Sequence, residues 1–315
     1  MVQESTAWAT FSKTFRLTEN CIRDMTILVT GGAGMLGHKV VQQLAPLHDV
    51  WWTLRGRVDD PCLSVVPMLR GDHALQGIDA QGDGMTNVVR ELRPNVVVNC
   101  VGVIKQATVV SADTTMLVNA QLPHRIADAL KSYGGRLIHI STDCVFSGLR
   151  GNYAEDDLPD ATDLYGRSKA DGEVIADHVL TLRTSMIGRE LRRHQSLLDW
   201  FLRQQGKQIR GFRRAIWSGV TTIQLAQLIE RLIVDHPRLA GTFHLSSGRT
   251  SKFALLVELK NRYHLDVEIE PDDSVVCDRS LIGTRFERAT GYHCPPLSVL
   301  IDEMIADPTP YPTLS

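Results

Sequence analysis

The sequence lacks the features that mark several classes of protein. Its six cysteines, Cys21, Cys62, Cys100, Cys144, Cys277 and Cys294, form no CxxC and no paired spacing. No zinc or other metal site and no disulfide framework is therefore expected, and a reducing, cytoplasmic compartment fits. Lysine plus arginine, 34, nearly balances aspartate plus glutamate, 36, leaving a net charge of −2. With no basic excess and no block of like charges, no nucleic-acid partner is expected. The longest stretch without a formal charge, residues 215–229, contains Gly219, Thr221, Thr222 and two glutamines. It falls short of the roughly 20 apolar residues that a membrane helix needs. Residues 1–24 carry three acids and three bases and no apolar run of the signal-peptide kind. They read as a poorly ordered leader that packs on no core.

What is present is a chain of 315 residues, 43% hydrophobic and 22% charged, enough for about two domains with a sizeable core. Short apolar runs rich in β-branched residues occur at 26–30, 50–54, 95–99 and 136–140. Amphipathic stretches separate them, at 38–44 and 123–131 among others. Continuous apolar strands alternating with helices indicate an α/β fold, a doubly wound parallel sheet covered on both faces, over residues 25–180. Beyond it, helical patterns at 196–205, 223–235, 253–263 and 298–306 point to a smaller α+β lobe over 181–315.

The first strand runs into Thr30-Gly31-Gly32-Ala33-Gly34-Met35-Leu36-Gly37 and then a helix. Glycines 31, 34 and 37 permit a tight turn, and the backbone N–H groups around Met35 and Leu36 can approach a pyrophosphate at the helix start. The second strand ends in Leu54-Arg55-Gly56-Arg57, with no acid before Asp59. An acid there would suit the 2′-hydroxyl of NAD, whereas Arg55 suits the 2′-phosphate of NADP, so NADP(H) is expected over NAD(H). Asp79 lies in a polar loop where it can approach the adenine.

Tyr165 and Lys169 stand four apart, on one face of one helix. The ammonium and a nicotinamide cation would lower the tyrosine's pKa from ~10 towards neutrality, and Lys169 can hold a ribose. Ser141-Thr142-Asp143 follows the strand at 136–140, where ligands bind in such sheets. Thr142 can there hold a substrate oxygen that Tyr165 protonates.

Taken together, these motifs resemble the extended short-chain dehydrogenase/reductases, and within them the dTDP-4-dehydrorhamnose reductase-like branch. The Gly-x-x-Gly-x-x-Gly spacing, Ser141-Thr142-Asp143-Cys144-Val145-Phe146-Ser147-Gly148, Asn119-Ala120 and Leu182-Arg183-Thr184-Ser185 carry the resemblance. It implies a Rossmann domain, a lobe for a nucleotide-linked sugar, and NAD(P)H reduction of a keto group in glycan precursor synthesis. It also implies a possible homodimer. Substrate contacts would come from Thr142, Asp143, Lys105, Ser185, Trp217 and Arg279, with Arg183, Arg189, Arg192 and Arg193 as further charge for a diphosphate. His194 and Trp200 are expected to pack. Cys144 departs from the usual tyrosine, and the loop 101–106 differs from that of the rhamnose enzymes, which leaves the sugar open. Alternatives are an epimerase, a dehydratase, against which the absence of the expected glutamate at Asp143-Cys144 argues, and a cofactor-binding regulatory subunit of the kind found in methionine adenosyltransferase assemblies.

Overall fold

The computed structural model describes residues 25–104 and 110–312; the expected leader and Lys105 lie outside the described residues. The chain opens with β1 (Thr26–Thr30), α1 (Gly37–Leu44), β2 (Asp49–Thr53), β3 (Ala74–Leu75), α2 (Gly84–Leu92) and β4 (Val96–Asn99). A helical run follows, made of α3 (Ala112–Met116), a π-helical turn (Leu117–Gln121) and α4 (Leu122–Lys131). It leads to β5 (Arg136–Ile140), α5 (Leu164–Asp171) and β6 (Val179–Arg183). Next come β7 (Met186–Ile187), α6 (Leu197–Leu202), β8 (Lys207–Phe212), β9 (Ala215–Trp217), β10 (Val220–Thr221) and α7 (Thr222–Val234). The rest is β11 (Gly241–His244), β12 (Thr250–Ser251), α8 (Lys252–Tyr263), β13 (Val267–Asp272), β14 (Cys277–Asp278), α9 (Thr284–Thr290) and α10 (Leu297–Ile305).

Seven strands form one parallel sheet in the order β11-β6-β5-β4-β1-β2-β3. Strand alternation divides the apolar side chains between two cores. Ile27, Val29, Val96, Val98, Ile138 and Ile140 face Val40, Val41 and Leu44 of α1 and the buried side of α7. Leu28, Val97 and Leu137 face Met85 and Val89 of α2 and Leu122, Ile126 and Leu130 of α4. Burial on both faces explains why these strands read as unbroken apolar runs. A third core, with Leu198, Phe201, Trp217, Leu255 and Ile301, belongs to the smaller lobe.

The chain is less cleanly divided than its pattern implies. The boundary expected at residue 180 runs through β6, and the sheet takes its outermost strand, β11, from residues 241–244. Strand β11 (GTFH) does not stand out in the sequence, because it is short and lacks an apolar run. Among the described residues no helix is long and apolar enough to cross a membrane.

Arg136 ties the late segment to the sheet. This buried residue at the start of β5 donates to the carbonyls of Leu232 at 2.9 Å and Leu239 at 2.8 Å, and burial pulls its pKa down to about 10. Hydrogen bonds from a charged donor contribute ~1.5–3 kcal/mol, and removing one leaves a buried carbonyl unpaired. Arg136→Leu is therefore expected to lower unfolding free energy by about that much in a urea titration. An unchanged midpoint would show that the tie is not stabilising.

Candidate active site

The glycine turn sits at the carboxyl end of β1, beside the reversal of strand order between β1 and β4. Gly31 and Gly32 donate their N–H groups to Thr53, the first to Oγ1 at 2.9 Å and the second to the carbonyl at 3.0 Å. Gly37 is required by contact: a Cβ there would lie 2.1 Å from the Gly31 carbonyl oxygen. Helix α1 thus starts flush against the turn, with its N-terminus facing the sheet edge. Leu36 is anchored in the core, 5% exposed, so only its backbone can serve a ligand, whereas Met35 is half-buried.

Arg55 follows β2 and is exposed. Arg57 is paired with Asp59 at 2.8 Å. The sequence gives no hint of what approaches this loop from far along the chain. Arg192 meets Asp60 at 2.6 Å, and its guanidinium lies 3.4 Å from where a Cβ on Gly56 would stand. Asp79 is exposed and accepts from the Gln81 N–H at 3.0 Å, while Ile78 donates to Leu54, placing this loop beside the end of β2.

At the end of β5 the chain turns through Asp143–Val145, a 3-10 helix capped by Thr142, whose Oγ1 accepts from the Cys144 N–H at 3.1 Å. Helix α5 packs directly on this turn. Gly166 makes that possible, since a Cβ there would lie 2.2 Å from the Cys144 carbonyl oxygen. The Asp163 carboxylate caps α5 by accepting from the Gly166 N–H at 2.9 Å. The result brings Tyr165 beside Thr142, whose hydroxyl donates to Asp143 Oδ1 at 3.2 Å. Lys169, one turn on and 5% exposed, donates to the Ile140 carbonyl at 2.7 Å.

The lowering of the tyrosine pKa expected from Lys169 is not found. Burial pushes Tyr165 above its ordinary value, Cys144, Asp143 and Asp163 push it further, and the neighbouring Thr142 hydroxyl opposes them. Lys169 is no counterweight here, because its ammonium is turned to Ile140. Burial lowers its own pKa to about 8, against the pull of the Glu173 carboxylate. Asp143 is likewise buried and its pKa raised, chiefly by desolvation.

Two further side chains support this arrangement: Asn119, which the sequence marks without giving it a role, and Glu173, which it does not mark. Asn119, in the π-helical turn, donates to the Val103 carbonyl at 3.0 Å and to Ser168 Oγ at 3.1 Å, and accepts from the Val103 N–H at 2.8 Å. It thereby ties the loop after β4 to α5. Glu173 accepts from Ser141 Oγ at 2.6 Å and from Arg183 at 2.7 Å. Arg183 is therefore sealed in a buried ion pair, not available to a diphosphate as expected.

Of the other substrate candidates, Arg279 borders the site, donating to the carbonyls of Phe146 at 2.8 Å and Ser147 at 3.3 Å. Ser185 and Trp217 meet each other instead, the indole N–H donating to Ser185 Oγ at 2.8 Å. Trp217 is 3% exposed and belongs to the lobe core, so it does not line an open pocket. Arg189 pairs with the fully buried Asp199 at 2.6 Å, and Arg193 is exposed. His194 also reaches Asp199, at 3.3 Å, whereas Trp200, expected to pack, is 37% exposed.

Residues 25–277 match the RmlD substrate binding domain family. A probable dTDP-4,6-dihydroxy-2-methyloxan-3-one 4-ketoreductase of Streptomyces antibioticus is 34% identical over 250 residues, covering 71% of this chain and 72% of that protein. Methionine adenosyltransferase 2 subunit beta of Bos taurus is 23% identical over 298 residues, 89% of this chain and 83% of that one. Among solved structures, dTDP-4-dehydrorhamnose reductase of Bacillus anthracis in complex with NADP superposes with a TM-score of 0.73 at 22% identity, over 90% of this chain and 99% of that one. That likeness is one of fold. With the family match spanning the sheet, the glycine turn and most of the smaller lobe, the chain belongs to the RmlD substrate binding domain family of extended short-chain dehydrogenase/reductases.

Proposed function

We propose that the protein is an NADPH-dependent reductase of a keto group on a nucleotide-activated deoxysugar. The observation that carries this reading is the juxtaposition of Thr142, Tyr165 and Lys169 at the same sheet edge as the glycine turn. The turn fits a dinucleotide on its own geometry, since the close approach at Gly37 leaves backbone, not side chain, at the helix start. Backbone at Gly31, Gly34, Met35, Leu36 and Gly37 would hold the pyrophosphate, Arg55 the 2′-phosphate, Asp79 the adenosine side, and Lys169 the nicotinamide ribose. When bound, the nicotinamide supplies a hydride to the carbonyl carbon of the sugar.

The chain's own part is the proton and the positioning. Thr142 donates to the keto oxygen and fixes it beside Tyr165. Tyr165, kept protonated at neutral pH by its burial, gives its proton to that oxygen as the alcohol forms. Asp143 and Arg279 lie next to the reacting group and are placed to contact the sugar, whereas Ser185 is engaged by the buried Trp217. The similarity to methionine adenosyltransferase 2 subunit beta favours a second reading, a cofactor-binding subunit without turnover. The retained Thr142, Tyr165 and Lys169 support the first.

Tyr165→Phe is expected to lower turnover of a nucleotide 4-keto sugar by ~10²–10⁴-fold, the usual range for general acid catalysis, with NADPH affinity nearly intact. Retention of most activity would rule out Tyr165 as the donor. A charge-assisted contact of ~1.5–3 kcal/mol further predicts a roughly tenfold to hundredfold preference for NADPH over NADH. Arg55→Ala should erase most of it and leave NADH affinity unchanged in a fluorescence titration. Equal affinities in the unmodified protein would make Arg55 an ordinary surface charge.

A further inference from the structure

Beyond α10 the chain returns to the first helix of the nucleotide layer and is tied there side chain by side chain. Asp307 Oδ2 meets Lys39 Nζ at 2.5 Å, and the same ammonium donates to Thr309 Oγ1 at 2.8 Å. Lys39 is buried, 6% exposed, although it lies on a surface helix. The Tyr311 hydroxyl lies 2.6 Å from His38 Nε2. Its ring is covered by Lys39 and by the Arg189 guanidinium, at 5.0 and 4.8 Å from the centroid.

His38 passes this contact on to the glycine turn. Its Nδ1 lies 2.8 Å from the Gly34 carbonyl oxygen, which can only accept, so Nδ1 carries the hydrogen. The imidazole is wholly buried and held neutral by desolvation, which leaves Nε2 bare. Tyr311 must then be the donor to Nε2. A directed relay results, from Tyr311 O–H to His38 Nε2 and from His38 Nδ1–H to the Gly34 carbonyl. That carbonyl accepts a second bond, from the His38 backbone N–H at 3.2 Å, and so points along α1. The peptide is planar and trans, so the N–H of Met35 on the same plane points the opposite way, out of the helix start.

We propose that the C-terminal segment acts as a positioning element for the dinucleotide: Tyr311, through His38, holds the Gly34–Met35 peptide with its amide facing the pyrophosphate. This rests on the cofactor reading given above. Neither Tyr311 nor His38 touches the ligand; both act through the orientation of one backbone plane.

The test uses the full chain, titrated with NADPH by calorimetry. Tyr311→Phe keeps the ring under Lys39 and Arg189 and removes only the donor to His38. It is expected to weaken NADPH binding three- to tenfold, to raise the KM for NADPH alike, and to leave kcat at saturating NADPH within twofold. Thr309→Val loosens the same segment at Lys39 without breaking the relay. It is expected to lower the melting temperature while moving the NADPH Kd less than twofold. Unchanged affinity in Tyr311→Phe, or equal losses of affinity in both variants, would overturn the proposal and reduce the segment to a structural tie. Failure of the unmodified protein to bind NADPH would overturn the cofactor reading itself, and this inference with it.

Discussion

A hydrogen-bonded chain across three strand ends sets the geometry on which everything else depends. Thr30 at the end of β1 donates to Asn99 Oδ1 at 2.7 Å, and the Asn99 amide reaches His139 Nδ1 at 3.1 Å on β5. All three side chains are fully buried, so each bond replaces water that cannot enter. Desolvation keeps His139 neutral and able to accept. Because all the sheet's strands run the same way, this chain fixes the glycine turn after β1 relative to Thr142 after β5. Two loops that would serve cofactor and substrate thereby share one rigid edge.

Electrostatics at that edge are set by burial more than by charge. Lys169, Asp143, Tyr165 and Glu173 stand within a few residues of one another in sequence or space, yet desolvation heads the causes for the first three. The buried pair of Glu173 with Arg183 is costly to desolvate and contributes little net stability when complete. Its value is positional: it anchors Ser141 and the end of α5, one turn beyond Lys169. A tyrosine held protonated suits proton donation, and a positive charge bound beside it would bring its pKa back down.

The legible parts of this molecule are those written in local pattern. The β1 run, the glycine spacing and the two apolar faces of the sheet follow from periodicity and from what glycine alone permits. The Tyr165–Lys169 helix and the Thr142 turn were likewise readable, and Gly166 explains why they meet. What stayed hidden depends on residues far apart in the chain. Arg183 reads as a free charge until Glu173 is seen against it, and Trp217 as a pocket wall until its indole N–H finds Ser185. Strand β11 is too short to announce itself, and the relay from Tyr311 to Gly34 spans nearly the whole sequence.

The edge is proposed to perform a reduction, not merely to bind a nucleotide. The most direct measurement is NADPH absorbance during incubation with dTDP-, UDP- and GDP-linked 4-keto sugars. Steady consumption with at least one of them, and none with the corresponding alcohols, is the predicted result. Tight NADPH binding with no consumption across the panel would contradict the claim and favour a cofactor-binding subunit.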